Sequence, residues 1–163
     1  MTIDTGVPRH WHEDSHVWRF VCVRYLIVLA SFNLLWEIGQ LPLYTLWAEA
    51  PPSAIAYAVL HCTLGDILIG VLALLAALIA TRAGALEQWR WWRIGTTAVG
   101  LGLAYTAFSE WLNTTVLMSW AYSERMPLTP ILPLGLSPLL QWLVVPVAAL
   151  VWARGTTRRQ SQA

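Results

Sequence analysis

A chain of 163 residues that is 57% hydrophobic and only 12% charged has too few charges to coat a soluble globule of its size, so the bilayer is its natural solvent. The net charge is +1 and all ten cationic residues are Arg, which leaves no cationic excess to suit a nucleic-acid backbone. Two cysteines, Cys22 and Cys62, fall at opposite ends of different predicted spans, out of reach of a disulfide, and no CxxC pair is present for thiol-redox work.

The chain opens MTIDTGVPRHWHEDSHVWRF, which lacks the short apolar core and small-residue cleavage site of a signal peptide. Within it HWHEDSH gathers His10, His12, Glu13, Asp14 and His16, ligand types that suit a transition metal. The segment reads first as a solvated tail over residues 1–17. A helix needs roughly 20 mostly apolar residues to cross the hydrocarbon, and four segments qualify: about 20–45, 54–81, 94–118 and 131–153. Pro51 and Pro52 between the first two suit a turn and a new helix start. Charged and aromatic TRAGALEQWRWWR reads as an interfacial loop, and Pro- and Gly-rich SWAYSERMPLTPILPLGLSP as a structured cap that folds back. Nine arginines (Arg9, Arg19, Arg24, Arg82, Arg90, Arg93, Arg154, Arg158 and Arg159) fall on one side of this map and Arg125 alone on the other. The positive-inside rule then puts both termini in the cytoplasm. The expected fold is all-α: one integral membrane domain of four transmembrane helices, and the Arg-only cationic set points to the cytoplasmic (inner) membrane of a bacterium.

Carboxylates inside a membrane cost about 2.5–3.5 kcal/mol each on insertion scales, so each needs a reason. With a rise of ~1.5 Å per residue, Glu37 lies ~20 Å from Arg24, Asp66 ~24 Å from Arg82 and Glu110 ~25 Å from Arg93. Gln141 and Ser137 lie ~20 and ~25 Å from Arg154 by the same rise, and His61 and Asn113 a little further out. Every predicted helix contributes to one polar layer. Residues three or four apart share a helix face, so Asn33, Glu37, Gln40 and Tyr44 form one stripe, and Thr106, Glu110 and Asn113 another, both facing the interior. His61 and Asp66 are five apart and point different ways on a regular helix, although Gly65 permits a kink. Trp36, Trp111 and Trp142 each adjoin a polar residue and are expected to wall a pocket. Gly95, Gly100 and Gly102 read as close-packing positions. There is no P-loop, dinucleotide fingerprint or GxSxG elbow, and the second intramembrane His that a bridged haem takes is missing.

The order FNLLWEIGQLPLY, HCTLGDILIG, SEWLN and LPLGLSPLLQWLVVP reads as a signature of a small bacterial four-helix membrane family. Over short pieces of the first, third and fourth helices it resembles the EXPERA group, which includes the sterol isomerase called emopamil-binding protein and the sigma-2 receptor. The resemblance implies a membrane pocket for an apolar ligand, with Glu37, His61 and Glu110 at the acid–base or ligand-binding positions.

Two function classes follow. The first is an intramembrane enzyme or binding protein for a lipid or isoprenoid-like molecule. In it Glu37, Asp66 and Glu110 act as acid or base, with Asn33, Trp36, Gln40, His61, Trp111, Asn113 and Gln141 around the ligand. His61, Asp66 and Glu110 together suit a divalent cation such as Zn, Mn or Fe. The second is a proton- or cation-coupled permease, or a subunit of a larger membrane complex; four helices are few for a carrier, so a permease would be a homo-oligomer.

Overall fold

The computed structural model of the chain describes residues 10–160, with side chains described as far as Gly155. Arg9 and the side chains of Arg158 and Arg159 therefore lie outside the described residues. Five helices follow one another: α1 (Ser15–Leu43), the short α2 (Leu46–Glu49), α3 (Pro52–Ala80), α4 (Trp91–Trp111) and α5 (Leu136–Gln160). Helix α1 contains a wide π turn over Phe20–Tyr25, and α4 runs on into a second one over Leu112–Val116. Among the described residues three helices, α1, α3 and α5, are long and apolar enough to cross a membrane. The fourth long helix, α4, is more polar because it carries Gly95, Thr96, Thr97, Gly100, Gly102, Thr106 and Glu110 on 21 residues.

The long helices form a ring in which α1 packs on α3, α3 on α4, α4 on α5 and α5 back on α1. Close approach is bought locally by glycine. A Cβ at Gly102 would run into the Trp142 indole, so α4 lies directly against that ring, and a Cβ at Gly70 would lie 2.6 Å from Leu29 Cδ2. Gly100 meets nothing within 4 Å, and Gly95 only makes ordinary contact with Leu150, so the expected packing role holds at Gly102 and not at those two. At the end of the ring nearer the termini the interior is apolar: Tyr25, Leu29, Leu74, Leu78, Ile94 and Ala149 are all buried. Outward faces are apolar as well, with Leu35, Leu64, Leu68, Ile79, Leu101 and Val151 all exposed. A helix apolar on every side suits a core or a lipid environment, and these faces meet no protein within the chain.

The termini end is tied together by the segment that the sequence reads as a solvated tail. Asp14 is buried; its Oδ1 accepts the His16 amide at 2.9 Å, capping α1, and its Oδ2 accepts the Leu86 amide from the α3–α4 connection at 3.1 Å. The Trp18 indole donates to the His12 carbonyl, and Phe20 packs edge-on against Trp89 and Trp91, which are tilted against each other. Helix α1 therefore begins at Ser15, five residues before the expected span, because Asp14 supplies its cap. Helix α3 ends where Arg82 takes a left-handed conformation (φ 50°) and the Ala83 amide reaches back to the Leu78 carbonyl.

At the opposite end residues 117–135 form the expected cap. Bridges pair Tyr44 with Tyr122 and Leu128 with Gly135, the Ser123 amide donates to the Leu43 carbonyl, and Met126 and Leu134 are buried. This corrects the fourth span. Residues 131–135 belong to the cap, where the Leu136 amide bonds the Pro127 carbonyl, and α5 starts only at Leu136. Pro133 pushes the residue before it out of the helical region, which holds the helix back.

Candidate functional site

Helical periodicity turns the expected stripes inward. Asn33, Glu37 and Gln40 on α1 are all buried, as are Thr106 and Glu110 on α4 and Gln141 on α5. All but Asn33 line a cavity of about 360 Å³ on the cap side of the apolar core. Its lining includes Glu37, Gln40, His61, Asp66, Glu110, Asn113 and Gln141, so seven of the ten expected site residues border one space.

Gln141 is the hub. Its Nε2 donates to Asp66 Oδ2 at 2.8 Å, to Asn33 Oδ1 at 3.0 Å and to Glu37 Oε1 at 3.2 Å, which joins α5 to both α1 and α3. Glu37 also accepts from Gln40 Nε2 at 2.8 Å. Gln40 Oε1 in turn accepts from Ser137 Oγ at 2.9 Å, and that hydroxyl accepts the Trp36 indole N–H at 3.2 Å. The Glu37 and Asp66 carboxyl groups are brought together by Gln141 Nε2, which donates to both. Glu110 belongs to a second group, where it accepts the Tyr122 hydroxyl of the cap. Burial, then the Glu110 carboxyl beside it, hold the Tyr122 phenol above its ordinary range, so it stays a donor through neutral pH. The Trp120 indole also faces Glu110, although its buried N–H makes no well-formed hydrogen bond.

Three expected residues lie elsewhere. Asn33 is buried beneath the cavity as a support for Gln141. Trp36 lines a separate apolar groove between α1 and α5 with Phe32, Leu35 and Val144. Trp111 is exposed and packs on Phe108. Adjacent residues on a helix point about 100° apart, so a Trp next to an inward acid turns away from it. Trp142 is the exception because Gly102 opposite leaves room for its ring. Sequence reasoning missed Trp120, Tyr122 and Cys62 as neighbours of the acids; the first two come from the cap, where no periodicity marks direction.

The metal set also needs correction. Among the described residues no group of three or more His, Cys, Asp and Glu is placed to hold a metal ion. His61 is exposed at the rim and stacks on Tyr57, with ring centroids 5.6 Å apart, five residues from Asp66 on a continuous α3 and so turned about 140° away from it. The same finding applies to the HWHEDSH segment from His10 onward, where Asp14 spends both oxygens on backbone amides. Comparison of the chain with protein-family models, curated proteins and solved structures finds no match in any of the three.

Proposed function

We propose that the chain is a four-span protein of a bacterial cytoplasmic membrane, termini inward, whose carboxyl-lined cavity binds a lipid or isoprenoid-like molecule and acts on it by proton transfer. The observation that carries this reading is the meeting of Glu37, Asp66 and Glu110, from three different helices, in one cavity whose walls are otherwise largely apolar, with Leu41, Val59, Ile69 and Trp142 among them. Three acids exceed what holding helices together requires, since interhelical hydrogen bonds are ordinarily made by Ser, Thr, Asn or Gln. The cavity volume falls within the ~300–1,000 Å³ range of small-molecule sites. In this reading the Glu37–Asp66 pair, held by Gln141, gives or takes a proton on one side of the ligand, and Glu110 with Tyr122 faces the other.

Permeation is less well supported. The polar layer stops at Asn33, and the termini half is filled by Tyr25, Leu29, Leu74, Leu78 and Ile94 with no polar path among the described residues. The test is lipid extraction of the purified protein followed by mass spectrometry, beside a triple Glu37→Gln, Asp66→Asn, Glu110→Gln variant that keeps its helical circular dichroism. A lipid or prenyl species enriched on the natural chain and lost from the variant is the expected result. Identical lipid profiles from the two proteins would overturn the proposal.

A further inference from the structure

Three parts of the cavity border are built up by large or hydrogen-bonded side chains. Tyr122 and Trp120 of the cap stand over it, Trp142 and the apolar core close it toward the termini, and the Trp36–Ser137–Gln40 chain closes the side between α1 and α5. The border between α3 and α4 carries smaller and more exposed residues. His61 and Tyr105 both line the cavity and are exposed at the surface, Tyr105 to 51%. Beside Val59 and Ile69, α3 contributes the small residues Ala58, Cys62 and Gly65 to the lining, and a Cβ added at Gly65 meets nothing within 4 Å. On the outside, Leu64 and Leu68 of α3 and Leu101 and Phe108 of α4 are exposed and apolar. Measured along the helices at ~1.5 Å per residue, Tyr105 lies ~18 Å above Arg93 and His61 ~32 Å from Arg82. The opening thus runs from the middle of the bilayer to its outer boundary.

We infer that the α3–α4 seam is a lateral portal through which a bilayer-dissolved single-chain amphiphile with an uncharged, hydrogen-bond-donating head, such as a long-chain alcohol, enters the cavity. The inference rests on the membrane and lipid-binding reading above and adds the route and the head-group class. The route follows from the exposed pair His61 and Tyr105 and the small residues between them. The head follows from what waits inside: carboxyl oxygens of Glu37, Asp66 and Glu110, with no Lys or Arg in the lining. An anionic head finds no Lys or Arg in the lining to pair with. A cationic head would have to shed its water to pass between Leu64 and Phe108, whereas a hydroxyl crosses at much lower cost and then donates to a carboxyl oxygen.

Cys62 lines the cavity just inside the seam, and the only other cysteine is Cys22, so Cys22→Ser leaves a single thiol as reporter. In lipid nanodiscs, labelling by the bilayer-soluble N-pyrenylmaleimide is compared with labelling by an impermeant sulfonated maleimide. The expected result is at least about tenfold faster labelling by the apolar reagent, slowed by dodecan-1-ol but not by dodecanoate or dodecyltrimethylammonium. Gly65→Leu, which fills the seam without a backbone clash, is expected to slow the apolar reagent by a similar factor. Equal or faster labelling by the sulfonated reagent overturns the portal, as does an unchanged rate in Gly65→Leu. Fast apolar labelling that dodecan-1-ol does not slow retains the portal and overturns the lipid-binding reading. Protection by dodecyltrimethylammonium as strong as by dodecan-1-ol overturns only the uncharged head.

Discussion

One amide nitrogen holds the candidate site together. Gln141 Nε2 carries two hydrogens and faces three acceptors, Asn33 Oδ1, Glu37 Oε1 and Asp66 Oδ2. Spacing along the chain places Gln141 at the depth of the acids, but its rotamer and therefore its role as bridge cannot be read from spacing. The same holds for Glu110, whose partner Tyr122 is twelve residues on in an aperiodic segment. Gln141→Leu keeps the volume and removes the donor. Interhelical hydrogen bonds in membrane proteins average only ~0.6 kcal/mol because the separated helices find other partners, whereas a carboxyl left buried without a donor loses more, about 1.5–3 kcal/mol. With the Asp66 carboxyl and the Asn33 amide oxygen losing this donor while Glu37 keeps Gln40, a loss of about 2 kcal/mol is expected in a reversible SDS unfolding titration. A loss below about 0.5 kcal/mol would show that the bridge does not hold the acids in place.

At the scale of elements the sequence was most legible where apolar runs are long. Three of the four expected spans overlap α1, α3 and α5, with ends that differ by between one and seven residues, because some 20 apolar residues leave the backbone only a helix. The ends were harder. Ile131 to Gly135 is as apolar as a span, yet Pro133 and the Thr129–Leu134 backbone bond fold it into the cap. The N-terminal end misled in the opposite sense, since HEDSH looks solvated by composition while Asp14 is buried as a clamp between α1 and the α3–α4 connection. That clamp yields a prediction of its own. Asp14→Ala removes the α1 cap, worth about 0.5–2 kcal/mol, and leaves the buried Leu86 amide without its acceptor. A thermal destabilisation of about 2 kcal/mol and faster hydrogen exchange at Leu86 are expected, with Asp14→Asn in between because its amide retains one acceptor oxygen. Unchanged exchange at Leu86 in Asp14→Ala would show that the connection is held by the Phe20–Trp89–Trp91 stack instead.

For the molecule as a whole, the ring of helices is apolar inside at the termini end, polar inside at the cap end and apolar outside along its length. Water gives no reason for the outer faces, so in the proposed bilayer the ring is held by close packing, as at Gly102 with Trp142 and Gly70 with Leu29, and by the Gln141 bridge. Charge sets the direction. Arg19, Arg24, Arg82, Arg90, Arg93 and Arg154 are gathered at the termini end, against Arg125 in the cap, and Arg154 lies over the Trp91 ring at 5.2 Å. Because Arg resists translocation when it lies within some 15–20 residues of a span end, the termini side is expected to stay in the cytoplasm and the cap to cross. Alkaline phosphatase folds only outside the cytoplasm and green fluorescent protein fluoresces only inside it when both are exported unfolded. Alkaline phosphatase inserted between Glu124 and Arg125 should therefore be active, and the same enzyme after Ala163 inactive, with a fluorescent protein giving the reverse pattern. Inactivity at Glu124 with activity after Ala163 would put the cap inside and the C-terminus outside; if a third fusion between Gly84 and Ala85 is also inactive, that pattern would single out α4, the long helix outside the three apolar spans, as the one that does not cross.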